Sequence, residues 1–136
     1  MFAVSRTAQR FDALARRALS SDKLAFLDAL ILAALFFESP RRIKPSELAE
    51  TFSTTRANIS HTISTLESRD LLHREIDPAD ARSYLLSLKP AGRKCALRAI
   101  HALDHLQEAF ERETGKRALA DTLRIVRNME RVADSL

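Results

Sequence analysis

One short segment of the sequence concentrates side chains that can read or hold a nucleic acid. Within "STTRANISHTISTLESRD", Ile59, Ile63 and Leu66 recur at helical spacing, which predicts an amphipathic helix over about 55–69. Thr55 is suited to cap its first turn. The opposite face, at about 100° per residue, carries small or basic side chains and no acid before Glu67. With the cap and the residues flanking the first turns, the candidate contacts are Thr55, Arg56, Ala57, Asn58, Ser60, His61 and Ser64.

The chemistry of this face suits the major groove of duplex DNA. Hydroxyl groups donate hydrogen bonds to phosphates, and the side chains of Asn, Arg and His can read base edges. An ordinary solvated helix face is the alternative, but such faces usually carry many Glu and Lys residues, which are scarce here. We therefore expect this helix to contact DNA.

A second segment, "EIDPADARSYLLSL" (Glu75 to Leu88), places charges at the tip of a predicted β-hairpin. Asp77 and Pro78 indicate the start of a turn, because Pro fixes φ and removes a hydrogen-bond donor. The alternation on either side predicts two strands. One face of the first strand has Leu72, Arg74 and Ile76, and one face of the second has Tyr84, Leu86 and Leu88.

The remaining pattern predicts the elements that hold these two segments in place. Apolar stripes predict helices over about 3–18 and about 116–134. A cap at Ser21 or Asp22 predicts a second helix that continues to about 37. Pro45 is predicted to begin a short helix, and Pro90 a longer one that ends at a break at Gly115. A short helix, a second helix and a two-stranded wing form a winged helix-turn-helix. The predicted fold class is therefore mainly α, with a winged helix-turn-helix lobe and a two-stranded β-wing. The apolar helices at both chain ends are expected to pack against a second copy.

Composition and charge narrow the functional classes without choosing one. The 136 residues fit one domain, and the net charge of +4 permits a polyanionic partner without requiring one. Residues 46–94 carry seven basic and seven acidic side chains, so charge alone does not indicate nucleic-acid binding. There is no glycine-rich phosphate loop, serine elbow or His-Glu-x-x-His motif, so we expect no enzyme activity and no cofactor.

Other features bear on the compartment and on alternative sites. The apolar run from 24 to 37 is too short to span a bilayer, and Cys95 is the only cysteine, so a cytoplasmic bacterial protein is expected. Cys95 is expected to be a small buried thiol rather than an oxidation sensor. His101 and His105 have the spacing of a metal-ligand pair, but packing or surface roles are favoured, and we expect no metal site.

Residues Lys44 to Lys94 resemble the DNA-binding lobe of the MarR family, the multiple-antibiotic-resistance type of bacterial regulator. The matching features are the Leu48-Ala49 pair, Leu66 followed by Leu71-Leu72 and Arg74, the wing from Asp77 to Arg82, and Leu88 with Gly92-Arg93. The resemblance implies a single domain over 1–136, with a DNA-binding lobe at 22–92 and dimerisation helices at 1–20 and 93–136. Outside the lobe, only the order of the helices agrees.

The resemblance also implies a function and a role for the wing. It implies a homodimeric, ligand-responsive repressor on a pseudo-palindromic double-stranded operator. Arg82 would enter the minor groove while Arg74, Asp77 and Asp80 hold the wing in shape. A small aromatic or phenolic effector is implied, with candidate lining residues chosen for their apolar or aromatic character: Phe11, Leu14, Phe36, Phe37 and Tyr84. The alternative is a winged-helix module for protein–protein assembly that does not bind DNA.

The sequence departs from the family pattern at several positions. Ala81 stands where such wings usually carry Arg or Lys, which favours the protein–protein alternative slightly. Asp70 replaces a glycine before the first strand, and we expect it to adopt left-handed geometry. Lys44 and Lys89 replace threonine caps, which predicts two weaker helix starts. His61 stands where a basic residue is common, so its contact could depend on pH.

Overall fold

The computed structural model describes residues 2–133 and 135, with only the backbone described for residue 3. The described chain contains helices and one two-stranded antiparallel sheet. In chain order these are α1 (Phe2–Ala18), α2 (Phe26–Glu38), α3 (Pro45–Thr51), α4 (Arg56–Ser68), β1 (Leu72–Asp77), β2 (Asp80–Leu88), α5 (Pro90–Thr114) and α6 (Lys116–Ala133). The predicted element order and the mainly α, winged helix-turn-helix fold class are confirmed. Residue 134, the predicted end of the last helix, lies outside the described residues.

The chain divides into two compact units, Met1–Ala102 and Leu103–Leu136. The first contains the helices α1 to α4, the hairpin and the first half of α5. Its largest fully buried side chains come from several of these elements: Leu19, Ile31, Leu32, Leu48, Ile59, Ile63, Leu66, Leu72, Leu86 and Cys95. The predicted core stripe of α4 is therefore confirmed, and Cys95 is buried as expected.

The predicted start of α2 at Ser21 or Asp22 is wrong. Residues Ser20–Asp22 form a short 3-10 turn, and Lys23 follows with φ of 51°, so α2 begins at Phe26. The cap comes from inside the helix, because the carboxylate of Asp28 accepts a hydrogen bond from the Ala25 N–H at 2.8 Å. Asp22 instead accepts hydrogen bonds from the guanidinium of Arg98 on α5.

The hairpin has the predicted alternation. Leu72 pairs with Leu88, Arg74 with Leu86 and Ile76 with Tyr84, and the register shifts between Ile76 and Asp77. Ile43, just before α3, also bridges to Leu86 through backbone hydrogen bonds in both directions. The base of the hairpin is therefore joined to the segment that leads into α3.

Two backbone positions shape the entry to the hairpin and the start of α5. Asp70 has φ of 60°, which confirms the predicted left-handed geometry. Gly92 lies against the carbonyl of Leu71, and a Cβ atom there would be only 1.7 Å from that oxygen. The glycine thus allows α5 to approach the α4–β1 connection closely.

The terminal helices expose apolar side chains. On α1, Phe2, Val4 and Phe11 are exposed. In the second unit, α5 ends at Thr114, Gly115 follows with φ of 81°, and α6 has no buried residue. Its exposed apolar residues are Leu123, Ile125, Val126, Met129 and Val132. Apolar area of this kind on both helices usually marks a surface that another molecule covers. Within the described residues, no helix combines the length and apolar character needed to cross a membrane.

We expect Gly92→Ala to destabilise the fold by about 2–3 kcal/mol, although alanine favours helices, because the added methyl group overlaps the Leu71 carbonyl. Urea unfolding followed by circular dichroism measures the effect. Lys94→Ala, at an exposed position on the same helix, is the control and should stay within about 0.5 kcal/mol of wild type. Equal stability of Gly92→Ala and wild type would contradict the close approach.

Candidate nucleic-acid interface

The first turn of α4 is capped as predicted. Thr55 has extended geometry, and its Oγ1 accepts a hydrogen bond from the Asn58 N–H at 3.1 Å. The side-chain amide of Asn58 donates to Thr54 Oγ1 at 3.0 Å, so this side chain is held across the turn between α3 and α4. The cap therefore fixes where α4 begins and which residues follow on its outer face.

The two faces of α4 are divided as the sequence predicts. Ile59, Thr62, Ile63 and Leu66 are buried. The candidate contacts are all exposed: Thr55, Arg56, Ala57, Asn58, Ser60, His61 and Ser64. Ser64 Oγ donates to the Ser60 carbonyl at 3.0 Å, which still leaves the hydroxyl oxygen able to accept. The outer face is thus a surface of small polar groups with one guanidinium at its start.

A cleft of about 430 Å³ lies between α4, the start of α3 and the hairpin. It brings together residues from both predicted segments, including Arg56 of α4 and Arg82 of β2. Its lining consists of Lys44, Pro45, Ser46, Arg56, Ser60, Ile63, Arg74, Arg82, Ser83 and Tyr84. Four of these residues are cationic and none is acidic, so the cleft suits a polyanion.

The cations around the cleft fall into two groups. Lys44 Nζ lies 2.7 Å from Asp77 Oδ2, and Arg74 Nε donates to Glu67 Oε2 at 2.8 Å. In contrast, neither Arg56 nor Arg82 forms an ion pair with any carboxylate in the described part of the chain. Carboxylates therefore neutralise Lys44 and Arg74, whereas the guanidinium groups of Arg56 and Arg82 have no carboxylate partner among the described residues. We call the lysines and arginines that pair with a carboxylate the framework cations.

Other acids near the hairpin are also paired with framework cations. Arg41 binds Glu47 at 2.7 Å and Glu38 at 2.8 Å. Two further pairs join Arg42 to Glu75 and Lys89 to Asp70. The equal count of acids and bases in residues 46–94 therefore hides a segregated surface, because most of these acids contact framework cations and none forms an ion pair with Arg56 or Arg82.

The ion pairs perturb the titration of their members in the expected directions. The hydrogen bond from Arg74 lowers the pKa of Glu67, and the same contact raises the pKa of Arg74. The hydrogen bond from Lys44, followed by that from the Ala79 N–H, lowers the pKa of Asp77. Each of these carboxylates is therefore charged, and paired, near neutral pH.

The wing tip is organised by two aspartates. Asp77 is buried, and its carboxylate accepts hydrogen bonds from the Ala79 N–H at 2.9 Å and from Ser83 Oγ at 3.2 Å. Asp80 Oδ1 accepts a hydrogen bond from the backbone N–H of Arg82 at 3.1 Å. Asp80 thus fixes the backbone of Arg82. The guanidinium of Arg82 has no acidic partner among the described residues.

The third predicted wing residue acts elsewhere. Arg74 pairs with Glu67 on α4 and not with the acids of the wing tip, so it joins the first strand to the last turn of α4. No local pattern in the sequence indicated this partner, nor the contact between Lys44 and Asp77. The predicted weakness at Lys44 is also offset, because Glu47 Oε2 accepts the Lys44 N–H at 2.7 Å and supplies half of a capping box.

The five candidate effector-lining residues do not share one described cavity. Tyr84 lines the cleft beside α4, whereas Phe37 lines a separate hollow of about 140 Å³ between α2 and α3. Phe36 packs edge-to-face on Phe37 with ring centroids 5.7 Å apart. Phe11 is exposed and Leu14 is half-buried on α1. Aromatic or apolar character alone selected residues from α1, α2 and β2, and their part in an effector site stays a prediction.

The alternative chemical sites receive no support from the geometry. Burial raises the pKa of the Cys95 thiol, which makes the reactive thiolate scarcer. His101 is exposed, and His105 Nδ1 lies 3.6 Å from Glu108 Oε2. Among the described residues, no three His, Cys, Asp or Glu side chains are grouped to hold a metal ion.

We expect Asp77→Asn to destabilise the fold at neutral pH, because the paired carboxylate is lost. The pKa of Asp77 is depressed, so its stabilising effect is present above the ordinary value of 3.8 and disappears as the pH falls through the lower folded-state pKa. Urea midpoints measured as the pH is lowered should therefore converge for variant and wild type below that value. Asp70→Asn removes an exposed carboxylate and is the control, with a smaller effect. A gap that is independent of pH would contradict the ionic role.

Comparison with known proteins adds a family match and a set of similar structures. Residues 34–84 match the sequence model of the MarR family. No curated protein matches the chain. The segment matched covers the end of α2, α3, α4 and the hairpin up to Tyr84, and it contains every residue that lines the cleft.

Solved structures share the fold along nearly the whole chain. The S. aureus MepR–DNA complex is 16% identical with a TM-score of 0.84, covering 99% of this chain and 96% of that one. A mutant MarR from E. coli complexed with operator DNA is 17% identical with a TM-score of 0.82, covering 93% and 90%. Bordetella bronchiseptica BpsR, described with regulation of its DNA binding by 6-hydroxynicotinic acid, is 19% identical with a TM-score of 0.82, covering 95% and 91%.

The family match falls on the winged helix-turn-helix itself, and the surrounding helices share the fold of these solved structures. On this evidence the segment 34–84 is similar to the MarR family, and the chain shares its fold with these solved structures.

Proposed function

We propose that this chain is a sequence-specific transcriptional regulator that binds double-stranded DNA as a homodimer. The observation that carries the proposal is the cleft between α4 and the hairpin, which is lined by four cations and no carboxylate. Two of those cations, Arg56 and Arg82, have no described acidic partner and are free to bind an external anion. Duplex DNA presents a dense row of phosphates, which makes it the natural partner for such a surface.

The exposed face of α4 enters the major groove in this proposal. Its small side chains let the helix approach the groove closely, and its hydroxyl groups donate to phosphates. Arg56, Asn58 and His61 carry the groups that can read base edges. Asn58 has fewer hydrogen bonds left to offer a base, because its side-chain amide already donates to Thr54 Oγ1. We therefore assign most of the base recognition to Arg56.

The wing supplies a second contact. Arg82 would place its guanidinium in the minor groove, where a narrow groove concentrates negative potential. Ala81 removes one cation from each wing, so a single arginine per protomer carries this contact. Asp77 and Asp80 act indirectly by fixing the turn, and Arg74 acts by holding the hairpin on α4.

A homodimer accounts for the exposed apolar side chains on the terminal helices. α1 exposes Phe2, Val4 and Phe11, and α6 exposes an apolar stripe that contains Val126 and Met129. A second copy of the chain would cover such surfaces with matching ones. We propose dimerisation helices at 1–20 and 93–136 around a DNA-binding lobe at 22–92, all within one domain. Two copies of α4 would then read two halves of a pseudo-palindromic operator.

Regulation by a small molecule completes the proposal. BpsR is described with regulation of its DNA binding by 6-hydroxynicotinic acid, which supports an aromatic or phenolic effector for a protein of this fold. The effector would change the DNA affinity of a repressor that acts in the cytoplasm, through coupling between two sites. The chain would act without catalysis, as a protein that only binds.

A protein–protein assembly module is the weaker alternative. It was favoured by the neutral charge of residues 46–94 and by Ala81. The structure weakens the first point, because most of the acids in this region are paired with framework cations and the cleft itself remains cationic.

Selection of bound fragments from a random duplex pool tests the function, and point variants test the residues. We expect Arg82→Ala to weaken binding of the selected duplex about tenfold, and Arg56→Ala to cost about 1–3 kcal/mol and relax the preference at one base position. Arg41→Ala, an equal charge change at an ion-paired residue outside the cleft lining, is the control. Fluorescence anisotropy and repeat selection measure both effects. Failure of the wild type to enrich any sequence would contradict the proposal.

Sedimentation equilibrium tests the homodimer. We expect a mass of twice 15.3 kDa at micromolar concentration, and a shift toward the single chain in Val126→Glu, which places a charge in the exposed stripe of α6. Arg124→Ala on the same helix, an exposed residue paired with Asp121, is the matched control and should remain a dimer. A wild-type chain that sediments as a monomer at high micromolar concentration would exclude the arrangement.

A further inference from the structure

The carboxylate of Asp77 is the point where the wing tip joins the rest of the first unit. Only 7% of its side chain is exposed, and it accepts hydrogen bonds from the Ala79 N–H at 2.9 Å and Ser83 Oγ at 3.2 Å. Both of these donors belong to the wing and are uncharged. A buried carboxylate is costly unless a cation compensates it. The cation here is the ammonium of Lys44, at 2.7 Å.

Lys44 belongs to a different element from the wing and is itself fixed in place. It precedes α3, and its backbone N–H donates to Glu47 Oε2 at 2.7 Å. The residue before it, Ile43, exchanges backbone hydrogen bonds with Leu86 of the second strand. The side chain of Lys44 therefore extends from an anchored backbone to the far end of the hairpin.

The residues that Asp77 organises lie beside the candidate DNA contact. Ser83, which donates to Asp77, directly follows Arg82 in the chain, and both line the cleft with Lys44 and Arg56. Loss of the Lys44 ammonium would leave the buried carboxylate with uncharged donors only. The wing tip would then relax toward water, and Arg82 would move with it.

We propose that Lys44 is a positioning residue for the wing. Its ammonium, bound to Asp77, holds the wing tip against the start of α3 so that Arg82 of the wing and Arg56 of α4 reach the same duplex. The inference rests on the proposed function and adds a specific residue to it. A lysine in the cleft could instead contact a phosphate directly, and the two roles predict different results.

A double-mutant cycle tests the positioning role. The wild type, Lys44→Met, Arg82→Ala and the double variant are titrated by fluorescence anisotropy against a duplex selected by the wild type, at one fixed salt concentration. We expect Arg82→Ala to weaken binding about tenfold in the wild type and less than about threefold in Lys44→Met, because a released wing no longer delivers the arginine. Equal losses in both backgrounds would overturn the proposal.

Asp77→Asn separates positioning from direct phosphate contact. If Lys44 acts through Asp77, Asp77→Asn should weaken binding about as much as Lys44→Met, and combining the two should add little. A direct contact predicts instead that removing the nearby negative charge leaves the affinity unchanged or raises it, which would overturn the proposal. Lys44→Arg keeps a cation for Asp77 and should retain most of the affinity.

Lys89→Met is the matched control for these variants. It breaks another lysine–aspartate pair, but Asp70 is 77% exposed in its side chain, and neither residue lines the cleft. We expect its affinity to stay within about twofold of wild type. Thermal melts by circular dichroism establish that each variant is folded at the assay temperature. If Lys44→Met does not fold, the same cycle built on Asp77→Asn and Arg82→Ala gives the decisive comparison.

The outcomes distinguish this inference from the function on which it rests. If the wild type enriches no duplex, the proposed function fails and the role of Lys44 fails with it. If the wild type binds and Arg82→Ala weakens binding, but the effects of Lys44→Met and Arg82→Ala are additive, the DNA-binding function stands and only the positioning role is lost.

Discussion

The pairing of acids with framework cations is the interaction on which the candidate interface depends. Asp77, Glu67 and Asp70 each neutralise a lysine or arginine of the hairpin or its neighbours. This leaves the cleft with two guanidinium groups that no described carboxylate neutralises, those of Arg56 and Arg82. A lobe with equal numbers of acids and bases can therefore present a cationic surface, because the sum of the charges says little about where they lie.

The same contacts give the hairpin a fixed geometry. A two-stranded hairpin alone is marginally stable in water, so it needs support from the helices. Its base is tied to the segment before α3 by the Ile43–Leu86 bridge, its first strand to α4 by Arg74 and Glu67, and its tip to Lys44 by Asp77. Gly92 then lets α5 start directly against the α4–β1 connection. Electrostatic pairing thus serves both to position the wing and to segregate charge.

Local patterns in the sequence were sufficient to predict much of the fold. The α4 stripe, its Thr55 cap, the strand alternation and the left-handed Asp70 all depend on neighbouring residues, and all are confirmed. The predicted start of α2 was wrong because the sequence offers two candidate caps. Asp28, inside the helix, caps it, and Asp22 binds Arg98 instead. The roles of individual residues in DNA binding remain predictions.

Contacts between distant residues could not be predicted in the same way. Lys44 and Asp77 are 33 positions apart, and the sequence marked Lys44 only as a poor cap. The partner of Arg74 was missed because Glu67 lies on a different element. Side-chain character also carries no information about which elements face one another, so the aromatic candidates for an effector site, of which Tyr84 and Phe37 line different cavities, remain predictions.

The salt dependence of duplex binding tests the central claim most directly. Phosphate contacts release counterions, so the logarithm of the affinity should fall linearly with the logarithm of the salt concentration, by about 0.9 for each phosphate neutralised. Measured on a duplex selected by the wild type, the slope should be steep and should become shallower by roughly one unit or more when Arg56 and Arg82 are both replaced by alanine. A slope that is flat in the wild type, or identical in the double variant, would contradict the claim that these two unpaired guanidinium groups supply the positive charge with which the cleft binds a duplex.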